Sequence, residues 1–242
     1  MRNSTIRSGV GWLVAGFALA SAAYASCVGI TWCTYGRPSR HVNSGEGDPL
    51  LDQFIPEYEV VERHGIRVAA PLAIAFEAAC EMTIQQSAIV RAIFRTRALL
   101  LGSKSDMQVH PLGLAQQARA WGWGVLAEQP GREIVFGGVT QPWLANPTFR
   151  ALPPDEFRSF HEPGYVKIAW TLRSDPIDAT KSIVRTETRA VTTDPIARAK
   201  FRRYWSLVMP GTALIRRMGL RIVKTEAERR ARATIAGETL SS

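Results

Sequence analysis

The order of hydrophobic periods predicts an α+β domain. A β-branched stretch near Tyr58 is followed by two helical periods after Pro71, a group of alternating stretches between Gly122 and Val191, and a long helical period opening at Pro195. An uncharged run stands at the N-terminus. The 242 residues suit one globular domain with a short appendage. Apolar residues make up 46% and charged residues 21%, which excludes a wholly disordered or collagen-like chain. No repeat at solenoid spacing and no low-complexity tract is present.

Tyr58 to Ala69 reads YEVVERHGIRVA, with an approximate period of two, and predicts a strand that ends before Pro71. Pro71 then opens a helix to about Met82, with Leu72, Phe76, Ala79 and Cys80 on one side. A second helix is expected over Ser87 to Leu101, then a long connection from Gly102 to Trp121. Gly122 to Glu128 and Glu133 to Gln141 flank Pro130-Gly131, a turn signal, and predict a hairpin. Pro142 to Pro163 is irregular, with a helical turn at Asp155 to Phe160.

Tyr165 to Arg173 alternates: Val166, Ile168, Trp170 and Leu172 face one side, Lys167 and Arg173 the other. Ser182 to Val191 makes the next strand. Lys167, Arg173, Arg185, Glu187 and Arg189 are expected to form ion pairs across the strands on the solvent side. Thr193 or Asp194 caps the last helix, with Pro195 at its first position. Phe201, Tyr204, Trp205 and Val208 press onto the sheet. Pro210-Gly211 is expected to interrupt that helix, because proline lacks a donor and clashes with the preceding turn.

No charged residue occurs from Ser8 to Gly36. As a helix, Gly9 to Trp32 is long enough to cross a hydrocarbon core about 30 Å thick, with Trp12 near one end and Trp32 and Tyr35 near the other. A single-pass anchor is the first reading. A cleaved signal peptide is the alternative, since Arg2 and Arg7 make a basic start and Ala23-Tyr24-Ala25 fits a cleavage pattern. Basic residues on both flanks discriminate sidedness little, with the domain outside the cytoplasm slightly favoured. The three cysteines, Cys27, Cys33 and Cys80, make neither a disulfide framework nor a zinc cluster, and Cys80 reads as a small buried hydrophobe.

The net charge of +9 is concentrated. Between Pro195 and Arg232 stand eleven Lys/Arg and two Glu, which leaves the rest of the chain neutral. Such a field attracts phosphate, from lipid headgroups or nucleic acid, or is the wet face of a helix. Arg216, Arg217, Arg221 and Lys224 are the residues expected at a membrane surface. No recognised nucleic-acid motif is present, so no nucleic-acid partner is expected.

Ile66-Arg67-Val68-Ala69-Ala70-Pro71 running into Phe76, the Gly164-Tyr165 strand, Thr186-Glu187-Thr188-Arg189 and Phe201-Arg202-Arg203-Tyr204-Trp205 carry a resemblance. Over Tyr58 to Ala231 the chain resembles the helix-grip superfamily of START lipid-transfer domains, polyketide cyclases and plant pathogenesis-related allergens, known as SRPBCC. The stretch from Gly164 onward looks especially like uncharacterised bacterial members, some of which have an N-terminal span. The resemblance implies a curved antiparallel sheet that grips the terminal helix around a cavity for an apolar ligand. The organisation expected is an anchor at 1–36, a linker at 37–56, a helix-grip domain at 57–232 and a tail at 233–242.

Within that frame Ile66, Val68, Trp123, Phe136, Ile168, Trp170, Phe201 and Trp205 are candidates to line the cavity; ordinary core packing explains any one of them as well. His64 and Glu62 share a strand face with Val60, Ile66 and Val68, so a carboxylate beside an imidazole is the candidate acid/base pair; a strand-end pair near solvent is the plainer reading. His161 is placed on a loop at a strand entrance, and His41 and His110 in loops. No metal site, cofactor fingerprint, nucleophile elbow or P-loop is present. Gly137-Gly138 marks a strand bend rather than a phosphate cradle. The expected function is binding or transport of a lipid or other hydrophobic small molecule at a membrane. The alternatives are a cyclase, dehydratase or hydrolase-like enzyme in the same cavity, or an interaction module using the basic helix.

Overall fold

The computed structural model describes residues 2–37, 47–83 and 112–241, with the side chains at 2–15, 17 and 237–241 outside that description. The expected helix over Ser87 to Leu101 lies outside the described residues. The elements are α1 (Arg2–Thr34), α2 (Pro49–Asp52), β1 (Val60–Val68), α3 (Leu72–Glu81), α4 (Leu114–Ala120), β2 (Gly124–Gln129), β3 (Glu133–Thr140), β4 (Phe149–Arg150), α5 (Pro154–Ser159), β5 (Val166–Pro176), β6 (Ser182–Thr192) and α6 (Pro195–Ser241). The protein is α+β, with a six-stranded antiparallel sheet and a long C-terminal helix.

Strand order is β1-β6-β5-β3-β2, with β4 paired to β3. The β2–β3 hairpin turns at Gly131, whose φ of 72° lies in the left-handed region that glycine enters without a Cβ penalty. Between Val125 and Ala127 the register slips, and Leu126 crosses Gly137, where a Cβ would stand 2.3 Å from the Leu126 Cδ1. The glycine pair is therefore a packing device in a bent strand.

Alternation along β1, β5 and β6 assigns the two faces. The front face is covered by α3, α4 and α6. Val68, Leu172 and Val184 pack there on Leu220, Val223 and Ala227 of α6 and on Ala75, Ala78 and Ala79 of α3. At the other end Val60, Val166 and Ala190 enclose Phe201. Asp194 caps α6 by accepting from the amides of Ile196 (2.7 Å) and Ala197 (2.9 Å), and it takes a third bond from the Gly164 amide, which joins the β5 entrance to the helix start.

One expectation about α6 is corrected: the helix runs through Pro210-Gly211 without interruption, as far as Ser241. A proline removes one N–H bond and its fixed φ is helical, while apolar anchors on either side, Phe201 before it and Leu220 and Val223 after it, hold both halves to the sheet.

The back face is not the solvent side that the charged alternation suggested. Leu51, Phe54 and Ile55, from the segment read as a linker, pack with Phe157 of α5 on Leu126, Val135, Val139 and Ala169. Beneath this cover Arg189, Glu187 and Lys167 are buried. Arg189 bonds Glu187 (2.8 Å), the Ile55 carbonyl (2.9 Å) and Asp52, and its guanidinium stands 4.8 Å from the Tyr58 ring centre. Glu187 also takes both ends of the Arg63 fork at 2.9 Å. Lys167 donates to the Arg158 carbonyl at 2.8 Å over the Phe157 ring.

The uncharged N-terminal run is helical as α1, and its C-terminal end docks on α6. Arg202 donates twice to the Trp32 carbonyl (3.1 and 2.7 Å) and stacks on the Trp32 ring at 4.1 Å. The Tyr24 hydroxyl donates to the Leu207 carbonyl, and Tyr35 meets Phe201 edge-on while donating to Glu59 at 2.6 Å. Burial, with the bond to Glu59 and its charge, holds the Tyr35 hydroxyl well above the ordinary phenol range, so it remains a donor. The expectation of a membrane span is not met by the described residues, among which no helix is long and apolar enough to cross a membrane. Removing the Arg202 head by Arg202→Ala deletes two charge-assisted bonds and a cation–π contact. Amides 28–36 should then exchange hydrogen at least about tenfold faster, since such contacts contribute on the order of 1–3 kcal/mol. Unchanged exchange would show that Arg202 does not hold the helix end.

Candidate functional site

The front layer is tight at its ends and looser between them. Val166, Leu172 and Val184 are fully buried, yet Ile168 and Trp170 on central β5, and Thr186 on β6, stay half-buried beneath the helix. The facing stretch of α6 agrees: from Leu207 to Met218 no residue is buried, between Ser206 on one side and Gly219 and Leu220 on the other. The middle of the front layer is therefore less completely buried than its two ends.

One wall of it is aromatic. Trp170 stacks on Phe136 at 4.5 Å and meets Trp123 edge-on at 6.0 Å, and Trp123 in turn lies 4.4 Å from Phe149. The floor is polar. Ladder pairing sets Glu62, Thr188, Trp170 and Phe136 on one row across β1, β6, β5 and β3, with His64 opposite Thr186 on the next. From above, Arg216 points down to the row, its Nε 3.5 Å from Glu62 Oε2. Burial opposes the guanidinium charge more than the Glu62 charge supports it, so Arg216 is held below the usual arginine range. Glu62 Oε2, His64 Nε2, Thr188 Oγ1 and Arg216 Nη1 are all buried without a hydrogen-bond partner in the protein.

The residues singled out in the sequence separate into three groups. Ile66, Trp123, Ile168, Trp170 and Trp205 are half-buried. Val68, Phe136 and Phe201 are sealed in packed clusters, each at most 2% exposed. His64 and Glu62 do share the helix-covered face, but His64 Nε2 stands 3.9 Å from Glu62 Oε1, too far for a hydrogen bond that would orient the ring. His161 bonds the Ser159 carbonyl at 2.7 Å in an exposed turn. His41 and His110 lie outside the described residues. Cys80 is half-buried between the apolar clusters, and burial with the charges of Glu128 and Glu81 pushes its thiol up to about 11, which makes it a poor nucleophile.

Of the four basic residues expected at a surface, Arg217 and Arg221 are exposed. Arg216 is the inward residue just described. Lys224 donates to the Arg67 carbonyl at 3.0 Å and pairs with Glu228 at 2.6 Å, which ties α6 to the end of β1. Thr188 and the inward Arg216 are the site residues that sequence reasoning missed. Among the described residues, no group of three His, Cys, Asp or Glu side chains is placed to hold a metal ion.

No family model and no curated protein matches this sequence. Similar solved structures include a conserved protein from Geobacillus kaustophilus, at 12% identity and a TM-score of 0.35, spanning 70% of this chain and 96% of that one. They also include the ZhuI aromatase/cyclase from a Streptomyces species, at 17% identity and a TM-score of 0.27, spanning 72% and 97%. A hypothetical protein from Helicobacter pylori is similar at 5% identity and a TM-score of 0.32, spanning 74% and 93%. Likenesses this distant carry no argument about what the chain does. The class rests on the topology itself: α+β, with a six-stranded antiparallel sheet layered against a long C-terminal helix.

Proposed function

We propose that this chain is a helix-grip protein that holds a lipid or other hydrophobic small molecule between the sheet and α6 and works at a membrane surface. The observation that carries the reading is the half-buried middle of the front layer, walled by Trp170 and Trp123 and bounded by two sealed ends. A pocket of this kind, largely apolar with a few placed polar groups, is what small-molecule sites generally look like. The membrane location is supported by the surface of α1, uncharged from Ser8 to Gly36 and exposed at every position from Ala18 to Cys27. Exposed Arg217 and Arg221 would add headgroup attraction.

Full chain purified gently should carry a hydrophobic compound detectable by mass spectrometry. Ile168→Trp, which fills the middle of the layer from the central strand, should lower the retained amount by about tenfold or more. Equal retention by a folded Ile168→Trp chain would place the compound elsewhere and overturn the reading.

A further inference from the structure

The four unpartnered floor atoms say what kind of ligand end the proposed cleft takes. We infer that Glu62, His64, Thr188 and Arg216 form a head-group site for an uncharged, hydrogen-bonding group, a hydroxyl in the simplest case, at the end of an apolar ligand. This rests on the cleft being a ligand site, as proposed above, and adds to it the chemistry of one end.

Buried polar atoms with no protein partner are uncommon, and each is costly unless water or a ligand satisfies it. Here four such atoms come from β1, β6 and α6, distant in sequence: Arg216 faces Glu62, His64 Nε2 stands 3.9 Å from the other Glu62 oxygen, and Thr188 lies opposite Glu62 on the ladder. Their roles are complementary. Arg216 Nη1 can only donate and a Glu62 carboxylate oxygen can only accept, while Thr188 Oγ1 and His64 Nε2 can do either. One hydroxyl serves both fixed roles at once, accepting from Arg216 and donating to Glu62. A carboxylate or phosphate has no proton for Glu62 and brings a second negative charge against it. An ammonium has no lone pair for Arg216 and brings a second positive charge. Arg216 and Glu62 oppose each other at 3.5 Å, so the floor has no net charge from this pair to favour either ion. Trp170, half-buried on the same row as Glu62 and Thr188, favours a flat ring beside that hydroxyl.

A matched pair of probes tests the assignment: 2-naphthol and 2-naphthoate, measured by equilibrium dialysis against the full chain, with protein-free solubilising medium as the blank. Wild type should bind the naphthol at least about tenfold tighter, the scale of a single unpaired buried group. Glu62→Gln removes the negative charge and leaves Arg216, so it should reverse the preference. Thr188→Val, a near-isosteric change, should weaken naphthol by about tenfold with the fold retained. Equal binding of both probes by wild type and by Glu62→Gln overturns the head-group assignment and leaves the cleft as a ligand site. Tighter naphthoate binding by wild type overturns it in favour of an anion site. Binding of neither probe, with the protein folded, overturns the cleft reading and the head-group site together.

Discussion

Arg189→Met should destabilise the protein by about 3–5 kcal/mol, the range found when one partner of a buried ion pair is removed. The side chain is 2% exposed, and its head holds three elements together: Glu187 on its own strand, Asp52 of α2 and the Ile55 carbonyl that follows. Methionine of similar length restores packing but none of the donors. Glu187 then keeps only the Arg63 fork, and the Ile55 carbonyl loses its partner. Arg63→Met is the internal control. Arg63 is 25% exposed and Glu187 retains Arg189 without it, so the loss should be no more than about 1–2 kcal/mol. Urea unfolding of the two variants checks the order. A cost under 1 kcal/mol for Arg189→Met would mean that the cover of the back face is held by its apolar residues, and a larger cost for Arg63→Met would make Arg63 the main partner of Glu187.

That network also shows why half of the fold was legible in the sequence and half was not. On β5 the apolar members Val166, Ile168, Trp170 and Leu172 all face the helix layer, because a period of two is imposed by the pleat and needs no knowledge of partners. The opposite members, Lys167 and Arg173, have charges that suggest water, and the same pattern is produced when a polar network is roofed over. The roof comes from Leu51, Phe54 and Ile55, and a four-residue helix followed by irregular chain has no period to detect. α4 was missed for the same reason: seven residues make barely two turns.

Arg216 is a different failure, because its signal was available. It follows Trp205 by eleven residues, about three helical turns, and precedes Val223 by seven, so it stands on the stripe that both share toward the sheet. Grouping it with Arg217 by adjacency placed the two on one surface, although neighbours in a helix point roughly 100° apart. A lone charge in an apolar stripe, opposite a strand face carrying Glu62 and His64, is the pattern that could have located the polar floor. The vacant hydrogen-bonding capacity of Thr188 had no such signal, since a threonine in a strand is expected on either face.

The second large effect concerns Glu133 and is a dependence of stability on pH. Glu133 is 2% exposed at the start of β3. The Arg173 opposite it on the ladder bonds Asp175 at 2.8 Å and approaches Glu133 only to 4.0 Å, while Asp175 also engages Arg132 and Arg185. Burial first, then the hydrogen bond to Asp48 and its charge, push Glu133 up to about 8 against the pull of Arg173. Its folded value is raised above its unfolded one, so the folded state binds the extra proton between them. The stabilisation is fully present below pH about 4.5 and declines as pH rises, by at most about 1.4 kcal/mol per unit, until it is lost above about 8. Glu133→Gln is neutral throughout and should remove this slope. Near pH 5 the variant and wild type should be alike within about 1 kcal/mol, and near pH 9 the variant should be the more stable by a few kcal/mol, because wild type must then bury a carboxylate beside Asp48. Urea midpoints taken from pH 5 to 9 read the difference directly. A wild-type curve parallel to that of Glu133→Gln would show that Arg173 neutralises Glu133 in the folded protein, and that α2 is capped by Asp48 without the help of a shared proton.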